Sequence, residues 1–166
     1  VYDLVISLDV AAIDRVLESK ILFEKAKCSV NIDHHKTNPG FGDIQIIEPD
    51  ASSCGEVLYN YFKKNNWIID RDSAVCLYTA IMTDTGNFRF GNTSSSTLRA
   101  AADLVDAGAN PNYIYKMCYE TKSKNFVLFQ NYIVNKAEFL NDNKIAYTTV
   151  YKRDLEKFSA DRKSVV

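Results

Sequence analysis

Three short apolar runs, separated by segments with helical spacing, constrain the fold of this chain most strongly. The runs are Tyr2–Asp9, Cys28–Asp33 and Ile44–Glu48, and the first shows no clean alternation of apolar and polar residues. Such a run is typical of a strand buried on both faces, as in a parallel sheet. Because Ile13–Ala26 between the first two runs carries apolar residues at helical spacing, the sequence predicts an α/β fold with a mostly parallel sheet flanked by helices.

Helix-start and helix-stop signals organise the rest of the chain. Ser53 and Glu56 have the spacing of a capping box, and Gly108 and Pro111 suit a helix end and the next helix start. The predicted helices run from Ser53 to Lys64, from Asp70 to Asp84, from Ser95 to Ala107, from Pro111 to Glu120 and from Ser123 to Leu140. A late strand is predicted over Lys144–Tyr151. A helical segment therefore follows the sheet domain.

Composition excludes several classes of function. The 166 residues carry a formal net charge of -1, with no basic block, which argues against a protein that follows long nucleic acid through phosphate contacts. No apolar run approaches the length of a membrane span, and no secretory signal opens the chain. The four cysteines show no CxxC spacing and predict reduced core thiols, as in a cytoplasmic protein.

The residues able to do chemistry stand at the ends of the predicted strands and helices. Asp9 ends the first apolar run, and Asp33, His34 and His35 end the second; these are the only two histidines in the chain. Asp84 ends a later apolar segment, just before a turn that contains glycine. In an open parallel sheet, ligands bind beyond the carboxyl ends of the strands. We therefore expect these side chains to converge.

Carboxylates mixed with imidazole suit a divalent first-row metal such as Mn²⁺, with Zn²⁺, Co²⁺ and Mg²⁺ as other candidates. Such an ion lowers the pKa of bound water and neutralises a phosphoryl group. One histidine can bind the metal while the other meets a substrate phosphate, with Asp33 holding an imidazole in the correct tautomer. Taken singly, Asp9 would be interpreted as a helix cap or turn residue, and Asp84 as the start of a turn. Their occurrence together with the two histidines favours a metal site.

These motifs resemble the DHH phosphoesterase superfamily. The resemblance is carried by "IDHH" after a strand, by an upstream strand that ends in aspartate, and by "TDTGNFRF" about fifty residues downstream. It extends through "NPGFGDI", "IEPDASSCGEVLY" and "FGNTSSSTLRAAADLVDAGANP", and so covers nearly the whole chain. The sequence is most similar to the branch of bifunctional oligoribonucleases and 3′-phosphoadenosine-5′-phosphate phosphatases.

The resemblance implies a role for each site residue. Asp9, His34 and Asp84 would be metal ligands, with Asp9 bridging two ions in the complete enzyme. His35 would face the substrate phosphate as a catalytic and substrate-binding residue, and Asp33 would support the site as a catalytic residue. Arg89, in "NFRF", is a further candidate contact to phosphate.

The sequence departs from the family at both ends. The first motif of the family, a DxD, is absent, and so is the glycine-rich substrate-holding motif of the smaller C-terminal domain. We therefore interpret residues 1–140 as a DHH catalytic domain that is incomplete at its N-terminus. Residues 141–166 would be a connection to, or the start of, a largely absent substrate-binding domain.

The resemblance implies a Mn²⁺-dependent hydrolase of very short oligoribonucleotides and 3′-phosphoadenosine 5′-phosphate. Its alternatives within the superfamily are a cyclic dinucleotide phosphodiesterase, a RecJ-type single-strand exonuclease and, less similar, a family II inorganic pyrophosphatase. The alternative from another class is a non-catalytic module that binds a metal or a nucleotide. The expected partner is a short oligoribonucleotide or nucleotide, with no long nucleic acid and no membrane; a homodimer stays open.

Overall fold

The computed structural model describes residues 2–159, which divide between two compact units. Unit 1 extends to Ile114, and unit 2 begins at Tyr115. This division differs from the predicted one between residues 140 and 141. Residues 160–166, at the end of the predicted connecting segment, lie outside the described residues.

Unit 1 contains a parallel sheet with the strand order β1-β2-β3. The strands are β1 (Val5–Leu8), β2 (Ser29–Asp33) and β3 (Ile44–Ile47). Leu8 pairs with Ile32, and Asp33 pairs with Ile47, so the strands end at nearly the same level. The predicted α/β class with a mostly parallel sheet is confirmed. The residues that follow β1 and β2 lie together at the carboxyl ends of the strands.

Burial differs between the strands. All five residues of β2 are buried, as expected for a central parallel strand. The prediction that the first strand is buried on both faces is wrong, because Ile6 and Leu8 are about half exposed, at 51% and 48%. Within residues 2–159, β1 pairs only with β2 and forms an edge of the sheet.

Side-chain caps start the main helices of unit 1. The α-helices that begin in unit 1 are α1 (Lys20–Lys25), α2 (Cys54–Lys64), α3 (Arg71–Asp84), α4 (Ser95–Asp106) and α5 (Pro111–Tyr115). Ser53, Asp70 and Ser94 each accept a hydrogen bond from an amide in the first turn of α2, α3 and α4. Within residues 2–159, no helix combines the length and apolar character needed to cross a bilayer.

The predicted single helix over Ile13–Ala26 is wrong. A 3₁₀ helix occupies Ile13–Ser19, with a break at Leu17, where φ is 50°, and α1 follows it. Phe23 is the buried hydrophobic residue of these two helices, whereas Leu17 is 77% exposed. Most helical stability in proteins comes from packing of an apolar face, so this segment has little to hold it in one regular helix.

The core of unit 1 lies between α2, α3 and α4 and extends to β2. Val57, Ile81 and Leu104 are fully buried there. Gly55 lets the start of α2 lie directly against α3, because a Cβ at this position would lie 2.7 Å from the Cβ of Ala80. This close contact fixes the start of α2 next to the helix that carries Asp84.

The cysteines are free, and their burial differs from the prediction of core thiols. Cys54 is buried, and its thiol donates a hydrogen bond to the Ile32 carbonyl; burial raises its pKa to about 11. Cys28 is half-buried, whereas Cys76 and Cys118 are exposed. The prediction of reduced thiols agrees with the four free cysteines, but among them only Cys54 is buried in the core.

Unit 2 combines helices with an antiparallel hairpin. Its elements are a π-helical turn (Lys116–Glu120), α6 (Lys124–Asn135), β4 (Glu138–Leu140), β5 (Ile145–Tyr147) and α7 (Lys152–Lys157). Phe129 is fully buried in this unit, and its ring contacts Phe158. The buried carboxylate of Asp154 accepts hydrogen bonds from the Tyr132 hydroxyl and from Lys136.

The predicted helix over Ser123–Leu140 is too long, and the predicted strand over Lys144–Tyr151 is shorter in the structure. Residues 138–140 pair with β5 across a turn in which Asn141, Asp142 and Asn143 all have positive φ. Asn and Asp tolerate this left-handed conformation better than most residues, so the turn chemistry outweighs the helical pattern.

Leu104 and Leu98 provide a matched test of the core, because they lie on the same helix and are 0% and 52% exposed. We expect Leu104→Ala to lower the free energy of unfolding by about 2–5 kcal/mol, through lost burial and a residual cavity. Leu98→Ala should change it by about 0.5 kcal/mol or less. Urea unfolding followed by the fluorescence of Trp67, the single tryptophan, reports on unit 1. Equal losses in the two variants would contradict the packing described above.

Candidate metal centre at the carboxyl ends of the strands

Asp9 follows β1 in a left-handed backbone conformation. Its φ is 61°, and its amide continues the parallel pairing by donating to the Ile32 carbonyl at 3.0 Å. Aspartate is one of the few residues other than glycine that tolerate this conformation. The side chain is 56% exposed and reaches His34, the second residue after Ile32, so the strand pairing places a carboxylate beside the imidazole.

His34 follows β2 and is held by the loop before α2. Its Nδ1 lies 3.2 Å from the carbonyl oxygen of Ala51. A carbonyl oxygen only accepts, so Nδ1 carries the proton and donates it. In the neutral ring this leaves a lone pair on Nε2, the nitrogen that faces the other site residues.

Asp84 is the last residue of α3 and reaches the same nitrogen. His34 Nε2 lies 3.2 Å from Asp84 Oδ2 and 3.4 Å from Asp9 Oδ1. Burial raises the pKa of the Asp84 carboxyl; positive charge on His34 or His35 would oppose this rise, and the negative charge of Asp9 adds to it. Two carboxylates that face the same nitrogen are stabilised by positive charge between them.

The contacts of His34 Nε2 are of the kind that a divalent cation makes, although Asp84 does not belong to the group of ligand atoms that lie within 4.8 Å of one another. A neutral Nε2 lone pair that faces two carboxylate oxygens needs a proton or a cation between them. Adjacent ligands of an octahedral ion with bonds of about 2.1 Å lie about 3 Å apart, close to the two distances at His34. The donor set is one imidazole and two carboxylates, which suits Mn²⁺ and its neighbours in the first row. The structure therefore brings together Asp9, His34 and Asp84, the three predicted metal ligands.

Asp33 and His35 form a second pair beside this cluster. The His35 Nδ1–H donates to Asp33 Oδ1 at 2.7 Å, and the Asp33 side chain is fully buried. Burial tends to raise the pKa of Asp33, but hydrogen bonds from His35, Asn38 and the His34 amide outweigh it and hold the pKa below its ordinary value. Asp33 is therefore ionised at neutral pH, and its bond leaves Nε2 of His35 as the nitrogen available for a ligand.

Asp33 is also close enough to the site to be considered as a metal ligand. Ligand atoms of Asp9, Asp33, His34 and His35 all lie within 4.8 Å of one another. However, both oxygens of Asp33 accept short hydrogen bonds, at 2.7 Å from His35 and 2.6 Å from Asn38. These bonds support the predicted role of Asp33 as a residue that positions His35, and Asp84 supplies the carboxylate on the other side of His34.

Sequence reasoning missed Asn38. Its Nδ2 donates to Asp33 Oδ2, to Asn31 Oδ1 at 2.9 Å and to the Val10 carbonyl at 3.3 Å. Its Oδ1 accepts from the Gly40 amide at 2.8 Å. Asn38 thus ties the loop after the histidines to the end of β2 and to the residue after Asp9. The only signal in the sequence is the Asn-Pro-Gly turn, which does not reveal a contact to a buried aspartate.

Sequence reasoning also misread Glu56. The Ser53 side chain accepts from the Glu56 amide, as predicted, but the Glu56 carboxylate accepts from the Ser52 amide instead of closing the capping box on Ser53.

Asn92 was missed as well, and its Nδ2 donates to the carbonyls of Ser52 at 2.9 Å and Asp84 at 3.3 Å. These contacts hold the loop that carries Ala51 in place.

Arg89 lies in the turn after α3, where its Nε donates to the Gly86 carbonyl at 2.9 Å. Among residues 2–159, no hydrogen bond or ion pair joins Arg89 to the aspartates and histidines of the cluster. Arg89 as a whole is an exposed residue. Contact with phosphate therefore stays a prediction for this residue.

A cleft of about 300 Å³ opens beside the cluster. Asp9 and Asp84 line it together with mostly apolar residues of β1, α2 and α3, among them Leu8, Leu77 and Ala80. A polar end and an apolar wall are the usual composition of a small-molecule site. The cleft therefore leaves the carboxylates of Asp9 and Asp84 accessible to a small ligand.

The structure is thus an α/β fold whose parallel sheet carries a candidate metal-binding cluster of aspartates and histidines at the carboxyl ends of its strands. The chain is 30% identical over 158 residues to the bifunctional oligoribonuclease and PAP phosphatase NrnA of Bacillus subtilis, covering 93% of this chain and 49% of that protein. It is 38% identical over 79 residues to the protein of the same name from Thermus thermophilus, covering 48% of this chain and 24% of that protein. No family model matches the sequence.

The fold has a relative among solved structures. The crystal structure of an exopolyphosphatase-related protein from Bacteroides fragilis superposes with a TM-score of 0.85 at 25% identity, covering 98% of this chain and 48% of that one. Together with the curated relatives, it confirms the resemblance to DHH phosphoesterases that the "IDHH" and "TDTGNFRF" motifs indicate. The chain spans about half the length of the B. subtilis relative.

The two histidines should behave differently towards metal. We expect His34→Ala to weaken Mn²⁺ binding more than about 100-fold, because it removes a ligand, and loss of an outer partner already costs about 10–100-fold. His35→Ala should retain Mn²⁺ affinity within about 10-fold, because the predicted role of its Nε2 is contact with the substrate phosphate and not with the ion. Calorimetric titration with Mn²⁺ measures both. Equal losses in the two variants would contradict this division of roles.

Proposed function

We propose that this protein is a metal-dependent hydrolase of phosphodiester and phosphomonoester bonds, acting on very short oligoribonucleotides and on 3′-phosphoadenosine 5′-phosphate. The observation that carries this proposal is the convergence of Asp9 and Asp84 on His34 Nε2 at 3.4 and 3.2 Å, with Nδ1 bonded to a carbonyl. The names of the curated relatives, which describe oligoribonuclease and phosphatase activities, support the choice of substrate class.

Mn²⁺ is the proposed ion, held by Asp9, His34 and Asp84. When bound, such an ion makes water a better nucleophile at neutral pH and neutralises charge on a phosphoryl group. The protein's own contribution is to fix the three donors before the ion arrives. Asp9 is fixed by β1 pairing, His34 by its bond to Ala51, and Asp84 by its position at the end of α3.

His35 is the proposed contact to the phosphoryl group. In hydrolysis, the oxygen of water bonds to phosphorus, the ester P–O bond breaks, and the leaving oxygen takes up a proton. With Nδ1 donating to Asp33, Nε2 of His35 is the nitrogen open to a ligand; it accepts in the neutral ring and can donate a hydrogen bond or a proton to a phosphate oxygen only as imidazolium. The buried Asp33 carboxylate fixes the orientation of the His35 ring through its hydrogen bond with Nδ1.

The charge of the protein supports short substrates. A formal net charge of -1 supplies few cations to contact successive phosphates of a long strand, whereas a metal centre needs only the phosphate that reacts. The cleft of about 300 Å³ is at the lower end of the usual size for small-ligand sites. Arg89 stays a candidate contact to a second phosphate.

We expect full-length protein to hydrolyse a ribodinucleotide with Mn²⁺ and to lose that activity when a chelator removes the ion. Between 50 and 200 mM salt the rate should change by less than about 10-fold, because few phosphates are contacted. Binding through 6–10 phosphates would lose about 10³–10⁵-fold over that range. The salt dependence is measured from initial rates of hydrolysis of a ribodinucleotide and of a long single strand.

Two outcomes would contradict the proposal. A steep loss of rate with salt, together with a preference for the long strand, would instead indicate a RecJ-type exonuclease. Mn²⁺ binding without turnover of the dinucleotide or of 3′-phosphoadenosine 5′-phosphate would indicate a non-catalytic binding module. His35→Ala serves as the control for background nuclease, because it should retain the ion and lose turnover.

A further inference from the structure

One peptide group links the proposed metal ligand His34 to a buried acid on α2. The carbonyl oxygen of Ala51 accepts from His34 Nδ1 at 3.2 Å. The N–H of Ser52, on the other side of the same peptide bond, donates to Glu56 Oε2 at 2.9 Å. The imidazole of His34 and the carboxylate of Glu56 are therefore the two ends of one chain of hydrogen bonds that passes through a single amide.

Glu56 is an unusual residue to find in this position. It is 1% exposed, and among residues 2–159 no lysine, arginine or histidine forms an ion pair with its carboxylate. Its Oε2 accepts from the Ser52 amide, the Ser52 hydroxyl and the Thr97 hydroxyl, and its Oε1 accepts from the Ser96 hydroxyl. A buried charge without a cation is costly unless hydrogen bonds replace the lost water.

The hydrogen bonds keep Glu56 charged. Burial tends to raise its pKa, but the bonds from Ser52, Ser96 and Thr97 outweigh burial and hold the pKa below its ordinary value. A negative charge is therefore fixed at the N–H end of the Ala51–Ser52 peptide group. An uncharged amide of the same shape would have a lower desolvation cost, but it would present an NH₂ group where a carboxylate oxygen now accepts from Ser96.

A charged acceptor at an amide N–H polarises the whole peptide group. Electron density shifts towards the carbonyl oxygen, and linked hydrogen bonds strengthen one another. The Ala51 carbonyl thus becomes a better acceptor for the His34 Nδ1 proton. In metal sites, a histidine that donates its second N–H to a carbonyl or carboxylate is fixed in tautomer and becomes a more basic ligand.

We propose that Glu56 is a positioning residue for the metal centre, acting on His34 through the Ala51–Ser52 peptide group. Its charge holds the Nδ1 proton on His34 and leaves Nε2 as the ligand atom that faces Asp9 and Asp84. This inference rests on the proposed binding of a metal ion at His34. In other metal sites, a carboxylate that is hydrogen-bonded directly to a ligand histidine fixes its tautomer. Here Glu56 would have the same role through one intervening peptide group.

A purely structural role for Glu56 makes a different prediction. The carboxylate also joins the start of α2 to the start of α4 through Ser96 and Thr97. If this were its only role, loss of any of its bonds would act on stability and leave the tautomer of His34 unchanged. Ser96→Ala is therefore a matched control, since Ser96 donates to Oε1, whereas the peptide group donates to Oε2.

The test compares Glu56→Gln with Ser96→Ala. We expect Glu56→Gln to weaken Mn²⁺ binding by about 10-fold or more, the usual effect of losing an outer partner of a ligand histidine. Ser96→Ala should stay within about 2-fold of the unchanged protein, because it leaves the Ser52 contact intact. Calorimetry with Mn²⁺ gives the affinities. In the metal-free proteins, ¹⁵N NMR of the histidine side chains should show His34 protonated at Nδ1, and Glu56→Gln should shift protonation towards Nε2.

Circular dichroism establishes that each variant folds. Glu56→Asp, which keeps the charge but shortens its reach to Ser52, is the second variant if Glu56→Gln does not fold, with the same expected direction. An unchanged tautomer and unchanged affinity in the folded Glu56 variant, or equal losses of affinity with Ser96→Ala, would overturn the inference. If the unchanged protein bound no Mn²⁺, the proposed function would fail, and the tautomer measurement alone would decide the role of Glu56.

Discussion

His34 donates its Nδ1 proton to the Ala51 carbonyl at 3.2 Å, and the geometry of the centre depends on this bond. It fixes which nitrogen keeps a lone pair, and that nitrogen lies 3.4 Å from Asp9 and 3.2 Å from Asp84. The opposite tautomer would place a proton on Nε2, so that His34 would donate to the two carboxylates instead of binding an ion with them. The proposed metal site therefore depends on this backbone hydrogen bond.

The fold supplies the parts of this centre from separate stretches of chain. The parallel pairing of Leu8 with Ile32 places the residues after β1 beside the residues after β2. The end of α3 brings Asp84 to the other side of His34, and Gly55 allows α2 to lie close against α3. The loop before α2 carries Ala51. Because each part is attached to packed secondary structure, the donors are arranged without the ion.

Much of this arrangement was predictable from sequence. The position of Asp9 and His34 after apolar runs identified them, since the carboxyl ends of parallel strands lie together. Asp84 was identified at the end of an apolar segment that is a helix, so the strand rule does not place it. Asn38 and the role of Glu56 were not predictable, because both depend on which loop folds over which strand. Helix periodicity also failed where packing or turn chemistry decided the outcome, at Leu17 and at the Asn-Asp-Asn turn after β4.

The most direct test of the proposed metal centre is a crystal structure of the protein grown with Mn²⁺, using anomalous scattering to locate the ion. We expect an anomalous peak about 2.1 Å from His34 Nε2 and from one oxygen each of Asp9 and Asp84. His34 Nδ1 should remain bonded to Ala51. A peak bound through His34 Nδ1, or no peak within bonding distance of these three side chains, would contradict the proposed centre.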